Sequence, residues 1–166
     1  MCRETDPAWR SRDLPPSPNQ AYTLSKIVSW LDRGGNINET RMDKERGQSF
    51  LIQAAVNNHE SLVAELLRRG ADVNLYARGK NALHFAAVLG HSNVTALLLR
   101  AGADWNLRVA EDNSDYTECD GMTALQIVEH KLVTARDPLR ERYLDMRDQV
   151  IRGTTAPHRM PTVPAR

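Results

Sequence analysis

The chain has 166 residues, enough for one compact domain with tails. Its formal charge of +1 leaves no global signature for binding nucleic acid or a membrane surface. No apolar run is long enough to span a bilayer, and two cysteines, Cys2 and Cys119, fit neither a disulfide framework nor a zinc pattern.

In chain order, residues 1–18 are polar and Pro-rich and are predicted to be a disordered tail. They lack the apolar core of a secretory signal, so the expected setting is cytoplasmic or nuclear. In that setting the sequons at Asn38 and Asn93 are chance matches. Residues 19–46 include "LSKIVSWLDRGGNIN", half of a unit whose full form comes later. The preceding "LPPSPNQAYT" leaves room for only a short or missing first helix. Two full units follow, "GQSFLIQAAVNNHESLVAELLRRGADVN" within 47–78 and "GKNALHFAAVLGHSNVTALLLRAGADWN" within 79–120. A fourth opens at Gly121 with "GMTALQIVEHKL" and fills 121–152. Gly47 to Gly79 and Gly70 to Gly102 are each 32 residues, whereas Gly79 to Gly121 is 42. The excess is an acidic insert over 109–120, with Glu111, Asp112, Asp115, Glu118 and Asp120.

Each unit reads as two short helices and a turn. Leu83, Ala86 and Ala87 share one helical face, and Val94, Leu97 and Leu98 follow at helical spacing. Gly34, Gly70 and Gly102 stand where a left-handed residue ends the second helix. Arg33, Arg68, Arg69 and Arg100 precede them, where positive charge suits the helix dipole. Gly90 supplies the turn between helices, and Asn58 stands at its equivalent. The last unit loses that turn, with Leu132 at the glycine position. Asp137-Pro138 then reads as the start of a final helix whose apolar stripe is Leu139, Tyr143, Met146 and Val150. Its charged outer side suits the end of a stack. Gly153 is expected to close it, leaving 153–166 as a disordered tail.

These residues resemble the ankyrin repeat, from the Gly-x-Thr-Pro-Leu-His turn to Gly-Ala-Asp-Val-Asn, through residues 24 to 128. Asn81-Ala82 and Ser49-Phe50 stand where that family has Thr-Pro, and Gln53 and Gln126 where it has His. The resemblance implies an all-α ankyrin-repeat solenoid of three to four repeats with a helical C-terminal cap.

Little in the chain suggests chemistry. His59, His84 and His91 fall at turns and are expected to serve backbone groups. No nucleophile has a base placed by pattern, and no phosphate loop is present. Read from Asp112 or Asp115, the insert lacks the ligand spacing of a calcium loop. No metal, cofactor or catalytic residue is expected.

The resemblance implies a non-catalytic protein-interaction module, an adaptor or small inhibitor, using a concave surface of hairpin tips and first helices. Mapping by repeat offsets places Arg46, Gln48, Tyr76, Arg78, Lys80, Val88, Leu89, Arg108, Met122 and His130 there. Val88 and Leu89 are either covered by adjacent helices or form the apolar centre of an interface. Trp105 replaces the valine of Asp-Val-Asn, and either packs under the longer loop or anchors a ligand chain. Asp112, Asp115 and Tyr116 stand on the insert. It faces basic residues on the earlier loops, so it either steers a charged partner or only solvates the surface. Asn74 and Asn106 resemble the hairpin asparagines that are hydroxylated in some ankyrin repeats, or else simply hold the hairpin as Asn side chains do in turns. The expected partner is another protein rather than nucleic acid or membrane, and the chain alone is expected to be a monomer. A structural subunit of a larger complex is the alternative, and a metal-dependent or enzymatic role a more remote one.

Overall fold

A computed structural model describes residues 24–41, 48–77, 79–110, 119–136 and 138–155. The elements are helix α1 (Leu24–Asp32), strands β1 (Thr40–Arg41) and β2 (Gln48–Ser49), then helices α2 (Phe50–Val56), α3 (Glu60–Arg68), α4 (Ala82–Leu89), α5 (Ser92–Arg100), α6 (Ala124–Thr134) and α7 (Leu139–Thr155). The strands pair antiparallel, Thr40 opposite Ser49 and Arg41 opposite Gln48.

Two layers of helices result. In the inner layer α2 packs on α4 and α4 on α6; in the outer layer α3 packs on α5 and α5 on α7. The small side chains of Ala54, Ala55, Ala86 and Ala87 are fully buried between inner helices and let the backbones approach. Leu66 and Leu98, at equivalent positions of α3 and α5, fill the space between layers. Thr95 stands where α3 has Val63, and it remains buried because its hydroxyl donates to the His91 carbonyl at 3.0 Å.

Turn chemistry sets where each helix ends. Gly90 takes φ 72° between α4 and α5, and Asn58 takes φ 55° between α2 and α3, as the spacing predicts. At the first hairpin the constraint is space. A Cβ on Gly35 would stand 2.5 Å from the Trp30 ring, which in turn packs on Phe50 at 5.2 Å between centroids. The outer layer is also tied by charge. Glu65 receives hydrogen bonds from Arg68 and Arg69, and Arg69 reaches back to Asp32 on α1. The two guanidinium groups, Arg68 foremost, hold the Glu65 carboxyl down at about 2.

The unit ending at α1 is present as its outer helix, as expected; what precedes Leu24 lies outside the described residues. So do both tails, except that α7 runs to Thr155. The helix therefore passes through Gly153, where the sequence led us to expect its end. Glycine alone does not stop a helix unless the chain adopts the left-handed turn there. Asp137 is outside the described residues. Of the expected stripe, Tyr143, Met146 and Val150 are buried, while Leu139 at the helix start is half exposed. No described helix is long and apolar enough to cross a membrane.

Candidate protein-binding surface

The hairpins between units are built by repeated local chemistry. The inner helices begin at Ser49, Asn81 and Thr123, each with an extended backbone and a side chain that accepts from the amide three residues on. In α4 the His84 ring answers: its Nδ1 accepts from the Asn81 amide at 3.2 Å. In α6 Gln126 does the same, its Oε1 accepting from the Thr123 amide at 2.9 Å. These are capping boxes with His and Gln in place of Glu. In α2 the third position is Ile52, not Gln53, so the expectation for Gln53 is corrected by one residue. The first unit has the forward half of the box alone.

His84 also binds the far side of its own unit, Nε2 lying 2.8 Å from the Leu107 carbonyl. With Nδ1 accepting, Nε2 carries the proton and donates, so the ring is the neutral tautomer. Burial pushes its pKa down, opposed by the Leu107 bond and assisted by the nearby Lys80 charge. His91 spans repeats instead, with Nε2 3.1 Å from the Val56 carbonyl.

Asparagine side chains link successive hairpins. Asn38 Oδ1 accepts from the Asp72 amide, and Asn74 Oδ1 from the Asp104 amide, each at 2.8 Å. Asn106 stands at the next rung and is exposed. Ile37, Val73 and Trp105, at equivalent positions, all pack partly buried against the core. Trp105 is thus held against the core, while the longer loop under which it was expected to pack lies outside the described residues.

The insert starts and ends on fixed points. The Ala110 amide donates to the Gly79 carbonyl at 2.8 Å, an approach close enough that a Cβ on Gly79 would meet the Ala110 oxygen at 2.8 Å. The Val109 amide donates to the Met122 carbonyl and the Gly121 amide to the Val109 carbonyl, each at 2.9 Å. The Arg108 guanidinium adds a bond to the Gly121 carbonyl at 2.8 Å. Val109 and Cys119 are both buried, Cys119 to 1 % exposure. The span 109–120 is therefore not a surface loop throughout: its two feet belong to the core. Residues 111–118, with Asp112, Asp115 and Tyr116, lie outside the described residues.

Among the expected contact residues, Arg46 and Arg78 also lie outside them. Three others are corrected. Lys80 is 1 % exposed, Gln48 8 % and Val88 9 %, so none offers a side chain to a partner. Gln48 and Lys80 occupy the position just before the helix cap, beside the hairpin pairings Arg41–Gln48 and Ala77–Lys80, and Ala110 closes on Gly79 next to Lys80. Val88 faces the inner layer, and its carbonyl accepts the Tyr143 hydroxyl at 2.9 Å. Tyr76, Leu89, Trp105, Met122 and His130 remain half exposed and Arg108 is exposed. Tyr76 and Arg108 are brought together, the tyrosine hydroxyl donating to the Arg108 carbonyl at 3.0 Å. Burial, and then the Asp104 charge, raise the Tyr76 pKa, so the donor keeps its proton. Met122 adjoins through the bridge between Arg108 and Thr123. Leu89 ends α4 and His130 stands in the middle of α6, two helices packed on each other in the inner layer. His130 has a buried Nδ1 with no hydrogen-bond partner, a feature that helical spacing alone does not reveal. No group of three or more His, Cys, Asp or Glu side chains among the described residues is placed to hold a metal ion.

Paired helices joined by capped hairpins, repeated with the same hydrogen bonds from unit to unit, define a solenoid of helical repeats. The chain belongs to the ankyrin-repeat family: the family model for ankyrin repeats in three copies matches residues 20–109, more than half of its length. Ankyrin repeats are generally protein–protein interaction modules. The match stops at the first foot of the insert, and the last helix pair continues the architecture beyond it. No curated protein matches the chain.

Proposed function

We propose that the protein is a non-catalytic interaction module, an adaptor or a small inhibitor, that binds another protein along the hairpins and inner helices. The observation that carries this reading is the Tyr76–Arg108 bond with Met122 beside it. It fixes the Tyr76 side chain to the backbone of the next hairpin, where the Arg108 guanidinium is held on the Gly121 carbonyl, before any partner arrives, which lowers the cost of ordering them on binding. Leu89, Trp105 and His130 extend the surface. The acidic segment 111–118 springs from two anchored feet and contributes negative charge, which favours a partner with basic groups and disfavours nucleic acid. The setting is cytoplasmic or nuclear, the groove acts in a single copy of the chain, and no cofactor takes part.

Proximity labelling or pull-down with Leu89→Asp and Arg108→Glu tests this, with Ser61→Asp, exposed on α3, as control. Partners lost with either groove variant and kept with the control support it. A captured set unchanged by both groove variants, each shown to be folded, removes it; one stoichiometric complex indifferent to the groove favours a structural subunit.

For the hairpin asparagines the reading narrows to Asn106. Asn74 is engaged in the ladder and Asn106 is exposed. Intact mass from cells containing the hydroxylase is expected to show one added oxygen, absent in Asn106→Ala and retained in Asn74→Ala.

A further inference from the structure

Helix α7 buries Tyr143, Met146 and Val150 against α5 and α6, yet it carries a second stripe. Leu144, Arg147, Asp148 and Ile151 stand at i, i+3, i+4 and i+7, which places them on one side of a helix. Leu144 is 38 % and Ile151 42 % exposed, large values for apolar side chains on an otherwise charged helix. Among the described residues Arg147 and Asp148 pair with each other, at 3.1 Å across a single peptide link, and both remain open to solvent. Sequence neighbours do not face one another on a helix, so this pairing is a poor use of both charges.

The order along the stripe is apolar, basic, acidic, apolar. Reversed, it complements itself. An antiparallel copy set with its Ile151 over Leu144 brings its Asp148 to Arg147 and its Arg147 to Asp148. Every contact then occurs twice about a two-fold axis, the condition for an isologous interface.

We propose that α7 is a self-association surface, through which two copies pair antiparallel by Leu144, Arg147, Asp148 and Ile151. The occupant is a second copy because the stripe is complementary to its own reverse, which a surface for an unrelated partner has no need to be. The patch is small, so the dimer is of the weak, concentration-dependent class, and the dilute chain is a monomer. As α7 lies in the outer layer, both grooves stay open and a pair of weak groove contacts is joined into one bivalent binder. The proposal does not depend on the groove reading.

Sedimentation velocity on the full chain from about 5 to about 500 μM spans the affinities such a patch allows. A sedimentation coefficient that rises towards the dimer value is expected, with the rise lost in Leu144→Lys and Ile151→Lys. Arg147→Asp replaces two attractions per dimer by two repulsions and weakens association about tenfold. The double reversal R147D/D148R restores it, because the opposite charges meet again. Circular dichroism confirms that each variant is folded. A wild-type chain that stays monomeric over the whole range overturns the proposal, as does a dimer indifferent to R147D or not rescued by the double reversal. Association lost with Leu89→Asp and kept in the α7 variants places the second copy on the groove and equally overturns it.

Discussion

His84 shows how much one side chain settles. Its Nδ1 accepts from the Asn81 amide and its Nε2 donates to the Leu107 carbonyl, and only a neutral ring does both. The folded pKa is therefore lowered by burial. Below the ordinary histidine value the unfolded chain binds a proton that the folded one refuses, so stability falls as pH drops from about 6.5 towards the folded value. His84→Gln, copying Gln126, is expected to keep the reciprocal cap, to cost about 1 kcal/mol for the lost Leu107 bond, and to flatten that pH dependence. Urea unfolding at pH 7.5 and 5.5 checks it; an unchanged slope against pH assigns the dependence elsewhere. A turn role for this histidine was legible from its offset. Burial of Lys80 was not. Its neighbour Gly79 is met by Ala110, thirty residues on, at the foot of an insertion that no repeat pattern encodes.

At the scale of elements, the helices were legible because apolar spacing and turn residues agree. Units with Gly90 and Asn58 at their turns fold alike, both with positive φ. The two positions are not equivalent in space. A Cβ on Gly90 would lie 3.3 Å from the Tyr143 ring. Asn58 is exposed. Asn58→Ala is expected to cost about 1 kcal/mol, the strain of a left-handed backbone. Gly90→Ala adds the displacement of a buried tyrosine and should cost about 2–3 kcal/mol. Paired denaturant melts decide the order: equal losses would mean that the α7 contact yields freely. The long reach of α7 was only partly legible. Its stripe follows from spacing, but its continuation through Gly153 depends on a backbone choice that glycine leaves open.

Among the described residues each helix pair packs mainly on its neighbours, so stability is close to a sum of local terms and the ends open first. The pair α4 and α5 has a neighbour on both sides, and α7 has α5 and α6. Besides the packing of α6 on α4 and α7 on α5, the last pair is joined to the middle of the stack by Tyr143, whose hydroxyl reaches the Val88 carbonyl near the end of α4. That carbonyl belongs to the last turn of α4, where no further turn accepts or supplies a bond. Tyr143→Phe keeps the ring against Gly90 and removes the hydroxyl alone, leaving a buried carbonyl without its donor, at about 1–2 kcal/mol. In a single cooperative block that loss would lower protection everywhere equally. In a chain of neighbours it lowers the opening free energy of α6 and α7 first and leaves α2 and α3 nearly untouched. Native-state hydrogen exchange, resolved by peptide, distinguishes the two. The expected pattern is slowest exchange in α4 and α5, with protection in α7 falling about tenfold in the variant. A uniform fall along all helices would show that the stack unfolds as one unit, and that the Tyr143 bond acts on the whole fold rather than on its cap.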